Sequence, residues 1–197
     1  LTRGSGPALN SGMAASFLQL NRNKRAITLD LKTEGGAEAF RVLLRDADLF
    51  VHNMRAEPLA RLGFDYERVR EINPNIIYCN IWGFGREGRY AGQAAYDDVI
   101  QGQSGIAGLF EERDGLPQLV PSIIADKNSA LIASGGLVAA YVKCPRTGRG
   151  TYLECSMFEG MASFNLVEHQ YGETFKPKEG KAGYVRALSS HRRPHKT

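Results

Sequence analysis

The chain has 197 residues, 43% hydrophobic and 23% charged, a balance that excludes a disordered polypeptide and is enough for one sizeable core or one domain with attachments. A net charge of +4 and an isoelectric point near 9.0 support an anionic ligand at least as well as a nucleic acid. The basic residues cluster only in NRNKR (21–25) and in SSHRRPHKT (189–197), and neither cluster carries interleaved aromatics or a nucleic-acid-binding motif, so no nucleic-acid partner is expected.

The three cysteines, Cys79, Cys144 and Cys155, are odd in number and lack metal-ligand spacing. They read as free thiols, two of them buried in strands, of a reducing compartment. No apolar run is long enough to span a membrane and no signal peptide opens the chain, so a cytoplasmic location without a membrane partner is expected. The start in LTRGSG without a methionine and the linker-like end in HRRPHKT read as a piece of a longer protein.

AITLDLK (26–32) alternates as a short strand does. TEGGAEAFRVLLRDA follows, with Ala37, Phe40, Leu43, Leu44 and Ala47 at helical spacing and Thr33 as N-cap. DLFVHN (48–53) is a compact apolar run suited to a buried parallel strand. PLARLGFDYERVREI (58–72) predicts two short helical pieces, stopped by Asn73-Pro74. NIIYCNIW is the next strand, so the first half repeats strand and helix as parallel βαβ units do. YDDVIQGQSGIAGL (96–109) reads as a helix interrupted by glycines, FEERDG as a solvated turn and LVPSIIAD as a strand or extended segment. NSALIASGGLVAAYVK predicts a helix whose Gly135 and Gly136 allow close approach of a neighbour. TYLECSM is a strand, FEGMASFNLVEHQ a helix, and the chain from Tyr171 onward an irregular connection.

Two features carry chemistry. IWGFGREG (81–88) has the G-x-G-x-x-G spacing of a dinucleotide loop after a strand, which raises an NAD-binding oxidoreductase as one reading. That reading needs a helix starting at the third glycine, and RYAGQAAY after Gly88 has no apolar stripe; turn chemistry is the plainer account. Asp126 ends an apolar run just ahead of a helix. As a structural group it is an N-cap. As a functional one it is a carboxylate kept ionised by the helix start and usable as a nucleophile on a reactive carbonyl.

Taken in order, NRNKRAITLDLKTEGG, ADLFVHNMRAEPLARLGFDYERV, NPNIIYCNIWGFGREG, YDDVIQGQSG, IADKNSALIASGGLVAA and RTGRGTYLECSMFEG resemble the family III coenzyme A transferases. Formyl-CoA transferase, the carnitine CoA-transferases and the α-methylacyl-CoA racemases belong to that family. The resemblance implies an α/β fold, a Rossmann-like parallel sheet with helices on both faces, here incomplete. Residues 1–170 would be the central part of the large domain and 171–197 a linker toward an absent small domain. It also implies an intertwined homodimer, no permanently bound cofactor, and coenzyme A, acyl-CoA and a small carboxylic acid as substrates.

By the same resemblance Asp126 is the catalytic aspartate. It would form an aspartyl-acyl anhydride and then an aspartyl-CoA thioester. Leu29, Asp30, Leu31 and Lys32 match a segment that touches the nucleotide portion of coenzyme A. Asn53, Met54, Arg55 and Arg61 match another, with Arg61 the best phosphate ligand. Tyr96 and Asp97 match the segment near the thioester, and Met157 is either beside them or core. Ala94 stands where formyl-CoA transferase has a basic residue, which removes one phosphate contact. The racemase alternative needs a histidine at position 96; tyrosine, with a reference pKa near 10, is a poor base there, and His52, His169, His191 and His195 offer no obvious substitute. A non-catalytic CoA-binding subunit or remnant is the remaining alternative.

Overall fold

The computed structural model describes residues 2–196. Residues up to Phe40 form one compact unit and residues from Arg41 onward another. In the first, a 3-10 turn at Thr2–Gly4 precedes helix α1 (Ala15–Leu20), and the Arg3 guanidinium lies 4.0 Å from the centre of the Phe17 ring. AITLDLK is not a strand. None of the strands among the described residues pairs with it, and alternation makes a strand only where another edge completes its ladder. The segment ends in a turn instead, where Asp30 Oδ1 accepts from the Lys32 amide at 3.0 Å and the Asp30 carbonyl accepts from the Thr33 hydroxyl at 2.8 Å.

Thr33 is the expected cap of helix α2 (Glu34–Arg45): its Oγ1 accepts from the Gly36 amide at 3.1 Å. Gly36 is needed there, because a Cβ would overlap the Asp30 carbonyl oxygen.

The second unit is built on three parallel strands, β1 (Leu49–His52), β2 (Ile77–Trp82) and β3 (Thr151–Ser156), in the order β1-β2-β3. Strand β2 is central, and its first four residues are buried as a continuous apolar run predicts. Strand β1 is an edge: Leu49 and Val51 are exposed, against the expectation of a buried strand. Between β1 and β2 lie the two short helices, α3 (Ala56–Arg61) and α4 (Tyr66–Ile72), the latter capped by Asp65 and ended at Asn73.

Alternation sends Tyr78, Asn80 and Trp82 to one face of β2 and Cys79 and Ile81 to the other. On the first face Phe50, Tyr78, Tyr66 and Tyr152 form a chain of ring contacts, and the Tyr78 hydroxyl donates to the Phe64 carbonyl. On the second face Cys79 and Cys155 pack against Ala133 and Leu137 of the long helix α7 (Ile124–Thr147). Burial raises the pKa of both thiols, as suits inert core cysteines. Helices thus flank both faces of a parallel sheet, the mixed α/β class that the sequence predicts.

After β2 come α5 (Asp97–Gln103) and α6 (Ile106–Asp114), separated at Gly105, whose φ of 91° suits glycine. FEERDG is therefore the last turn of α6 and not a free turn. Helix α8 (Met157–His169) follows β3, capped by Ser156, and α9 (Val185–Leu188) lies in the irregular tail. The second core, Phe84, Ile100, Ile106, Ala125, Met157 and Met161, joins α5, α6, α7 and α8. Gly135 and Gly136 do not serve a close approach within the chain. A Cβ at Gly135 would meet nothing within 4 Å, and one at Gly136 would touch Leu153 at an ordinary 3.8 Å.

Asn73 locks the first βαβ turn. Its amide nitrogen donates to the carbonyls of Leu44, Arg45 and Ala47 at 3.0, 3.3 and 2.9 Å, closing the end of α2, while Oδ1 accepts from Asn75. Asn73→Ala removes the donor these carbonyls share, leaving Leu44 only the Ala47 amide at 3.4 Å, and should lower unfolding free energy by about 1–3 kcal/mol in urea titrations. Asn73→Asp, which keeps only the acceptor, should lose a comparable amount; a loss below the measurement error in both variants would refute the lock.

Candidate active site

Helix α7 begins without a cap of its own. The N-cap position is Ile123, which has no polar side chain to satisfy the first amides. Asp126 is not the N-cap expected from the sequence; it is the third residue of the helix. The cap is supplied from another helix: Asp97 Oδ1, at the first position of α5, accepts from the Asp126 amide at 2.9 Å. A carboxylate facing a helix N-terminus also meets the favourable end of its dipole.

Asp97 is buried, and its second oxygen accepts from Gln101 Nε2 at 2.6 Å. The same nitrogen donates to the Ser122 carbonyl at 3.1 Å, and Gln101 Oε1 accepts from the Val120 amide at 2.8 Å. This tightens residues 120–124, where the Ser122 amide donates to the Val120 carbonyl and the Ile124 amide to the Ser122 carbonyl at 2.6 and 2.7 Å. Residues 119–123 are thus a bent lead-in and not a strand, and Ile124–Asp126 already belong to α7.

The Asp126 side chain is exposed and makes no hydrogen bond among the described residues. Partial desolvation at the helix start and the neighbouring Asp97 carboxylate, in that order, push its pKa above the ordinary carboxylate value. The helix start does not hold it more strongly ionised than usual, contrary to the expectation from position alone.

A cleft of about 440 Å³ opens at the carboxyl ends of β1 and β2, where ligands of open α/β sheets bind. Asn53, Arg55 and Arg61 line it from one side, Trp82 and Phe84 from the floor, and Ala94 to Tyr96 from the other side. The structure therefore brings four of the expected ligand residues together: Asn53, Arg55, Arg61 and Tyr96. Met54 is not in the lining; its amide donates to His52 Nδ1. Ala94 is in the lining and presents only a methyl group.

Tyr96 is the residue before α5, so the cleft wall continues directly into Asp97 and its bond to Asp126. Asp126 itself is not a lining residue of this cleft. Leu29, Asp30, Leu31 and Lys32 belong to the first unit, where the Asp30 carboxylate is engaged in its own turn. Met157 is core, buried with Phe84 and Met161. Among the described residues no group of histidine, cysteine and carboxylate side chains is arranged to hold a metal.

The glycine motif has a different use from a dinucleotide loop. No helix follows Gly88 until Asp97. Glu159 accepts from the Gly85 amide with both oxygens, at 3.0 and 3.1 Å, and Glu154 accepts from the Arg86 amide at 3.0 Å. Those amides are the donors a pyrophosphate would require, and two carboxylates already hold them. A Cβ at Gly83 would overlap Ala95, and one at Gly85 would press on Glu159. The glycines serve close packing of the loop against α8 and the cleft wall, which removes the NAD-binding reading.

His52 does not face the cleft as a base. Its ring stacks near Phe50 and Tyr78, and burial lowers its pKa to about 4. His169 Nδ1 accepts from the Tyr184 amide at the far end of α8. Sequence reading missed Gln101, Glu154 and Glu159. The first had a signal, since Asp97 and Gln101 are four apart on one helix face. Glu159 stands three residues after Ser156, as in a capping box, but its carboxylate crosses to Gly85 instead.

The model of the family described as CoA-transferase family III matches residues 1–192. A succinate–glutarate CoA-transferase of Agrobacterium fabrum is 38% identical over 146 residues, covering 74% of this chain and 36% of that protein. A formyl-CoA:oxalate CoA-transferase of Streptomyces avermitilis is 37% identical over 157 residues, covering 80% of this chain and 38% of the relative. The crystal structure of a CAIB/BAIF family protein from Brucella suis superposes with a TM-score of 0.83 at 37% identity, covering 92% of this chain and 49% of that one. The chain thus spans well under half the length of those two curated relatives.

The charge of Asp97 is one cause of the raised Asp126 pKa, so removing it should move that pKa down. In Asp97→Asn the Asp126 carboxyl should titrate at lower pH than in the parent chain, with the burial contribution still present. Carbon-13 NMR of labelled aspartate carboxyls reads this directly; a midpoint unchanged or raised would exclude Asp97 as a cause.

Proposed function

The chain belongs to the family III CoA-transferases, and from that premise we propose that it is the part of such an enzyme that carries the nucleophile, Asp126, and one wall of the coenzyme A site. The observation that carries the proposal is the placement of Asp126. It is an exposed, unbonded carboxylate in the first turn of α7, with its amide held by the residue next to Tyr96 at the cleft wall.

The reaction is transfer of coenzyme A from an acyl-CoA thioester to a free carboxylic acid. The Asp126 carboxylate attacks the thioester carbonyl, the carbon–sulfur bond breaks, and coenzyme A leaves as thiolate with an aspartyl-acyl anhydride behind it. The thiolate then attacks the aspartyl carbonyl, releasing the first acid and leaving an aspartyl-CoA thioester. The incoming carboxylate displaces the thiolate to form a second anhydride, and the thiolate attacks the new acyl carbonyl to give product and free Asp126. Covalent catalysis of this kind divides one difficult exchange into steps with comparable barriers. Each tetrahedral intermediate needs hydrogen-bond donors, worth roughly 3 kcal/mol apiece in comparable sites.

Arg55 and Arg61 give the cleft two guanidinium groups suited to the phosphates of coenzyme A, and Tyr96 marks the side toward the thioester. Leu29, Asp30, Leu31, Lys32, Asn53 and Met54 are proposed to complete the nucleotide contacts. Small dicarboxylates such as those named for the relatives, oxalate and glutarate, are the acids to try first. Residues 1–170 are proposed as large-domain sequence and 171–197 as its outgoing connection, within an intertwined homodimer and a cytoplasmic setting. Among the described residues no helix is long and apolar enough to cross a membrane. Epimerisation at the α-carbon is disfavoured: Tyr96 occupies the position a base would need, and no histidine lines the cleft.

Transfer should be assayed in the full-length protein with succinyl-CoA, acetyl-CoA or formyl-CoA as donor and oxalate or glutarate as acceptor. Asp126→Ala should reduce exchange by at least 10³-fold, since the covalent route is lost. Hydroxylamine added during turnover should mark Asp126 as a hydroxamate in the peptide map. Undiminished exchange in the variant would eliminate the proposed nucleophile, and deuterium uptake at the α-carbon without acyl movement would favour the racemase instead.

A further inference from the structure

The transferase reading gives Asp126 the chemistry and leaves Gln101 without a role. Yet Gln101 is fully buried, and every kind of polar group its side chain owns is used. One nitrogen serves Asp97 Oδ2 and the Ser122 carbonyl, at 2.6 and 3.1 Å, and the oxygen serves the Val120 amide at 2.8 Å. Resting on that reading of Asp126, we infer that Gln101 is a positioning residue for the nucleophile, acting through both structures that fix the start of α7.

The first route is through Asp97. A buried carboxylate with one oxygen bonded could turn to present either oxygen, or neither, to the Asp126 amide. The bond from Gln101 fixes Oδ2, and a planar carboxylate so anchored has Oδ1 left in a single direction, toward Asp126 at 2.9 Å. The second route is through the lead-in. Residues 120–124 fold on two short-range backbone bonds, the second closing an inverse γ-turn at Ile123 (φ −71°, ψ 66°), and neither bond reaches beyond the segment itself. Gln101 bonds the Val120 amide and the Ser122 carbonyl from outside, so the segment enters α7 at one angle. Lys127 Nζ adds a bond to Ser122 Oγ at 2.8 Å, tying the first turn of α7 back to the same segment.

Only a primary amide does this. Glutamate has no hydrogen to give Asp97 or Ser122 when ionised, methionine has neither donor nor acceptor, and asparagine is one methylene short of spanning from α5 to both partners. A misplacement of the nucleophile by about 1 Å is enough to cost on the order of 10²-fold in rate, because covalent attack requires near-contact geometry.

The experiment uses the full-length protein with whichever of the named donor and acceptor pairs it turns over best. Gln101→Glu should lower kcat at least tenfold with KM for the acyl-CoA changed less than threefold, because the cleft residues are untouched. Hydrogen–deuterium exchange by mass spectrometry should show faster exchange in a peptide covering 119–128 and no change in one covering 77–82.

The swapped pair Asp97→Asn with Gln101→Glu restores a donor–acceptor contact between the two positions. It should regain at least part of kcat and of the amide protection relative to Gln101→Glu alone, which a merely space-filling glutamine would not do. Gln101→Met, of similar volume, covers the case in which the glutamate variant does not fold. Unaltered kcat, unaltered exchange at 119–128, or no gain from the swap would each overturn the inference. Absence of any transfer by the parent protein would instead sink the transferase reading, while the exchange measurement would still decide whether Gln101 holds the Asp126 amide.

Discussion

The bond from the Asp126 amide to Asp97 Oδ1, 2.9 Å long, joins a seven-residue helix to the start of one of 24 residues. Helix N-termini leave their first amides without intrahelical partners, and a local serine, threonine, aspartate or asparagine normally meets one of them. Ile123 cannot. The cap is borrowed from α5, and that has a consequence beyond stability. A local cap moves with its helix, whereas a borrowed one registers α7 against the cleft wall that ends at Tyr96. The position of Asp126 relative to that wall is therefore set by this contact, by the lead-in segment that Gln101 holds, and by Ala125, which is buried in one cluster with Ile100 and Met161.

The glycine loop after β2 shows the same economy. Glu154 of β3 and Glu159 of α8 each capture a loop amide, so the loop is clamped by the strand and helix that follow next in space, not by its own residues. The glycines are the condition for that clamp, since side chains at 83 or 85 would collide with Ala95 or Glu159. A sequence pattern associated with phosphate binding here produces a loop whose amides are already saturated by anions. Repulsion between those carboxylates and a phosphate would reinforce the exclusion.

How far the sequence discloses this arrangement depends on where each determinant lies. Strand β2 and the helices α2, α3, α4 and α8 follow from periodicity and turn chemistry within a few residues of each other, and they are where the sequence places them; the glycine interruption of 96–109 is legible too, though not which glycine makes it. AITLDLK fails because strand formation is decided by a partner edge, which alternation does not encode. Asp126 was legible as a helix-start acid, but its rank within the first turn was not. The N-cap role and the third position differ by three residues, and the choice was made by Asp97, 29 residues away. The cleft is legible only through the family resemblance: nothing in the spacing of Asn53, Arg61 and Tyr96 says that the end of β1, the end of α3 and the start of α5 converge.

The raised pKa of Asp126 follows from a competition whose terms can be ranked. A helix N-terminus stabilises an exposed carboxylate by about 0.3–1 kcal/mol, less than one pKa unit at 1.36 kcal/mol. Partial desolvation and a second carboxylate on the adjoining helix oppose it, and the net direction is upward. For the nucleophile proposed at Asp126 this direction is useful. A carboxylate held by strong hydrogen bonds is stabilised in its ground state and must break them to attack; one with no hydrogen bond and a like charge nearby is more basic and has no such bond to break. The limit is set by ionisation, because a protonated Asp126 cannot attack a thioester. Asp97 sits at that balance point. Its charge raises the basicity of Asp126, while its bond to the Asp126 amide fixes the backbone from which that carboxylate projects, so in the proposed mechanism one residue both tunes the nucleophile and registers its helix.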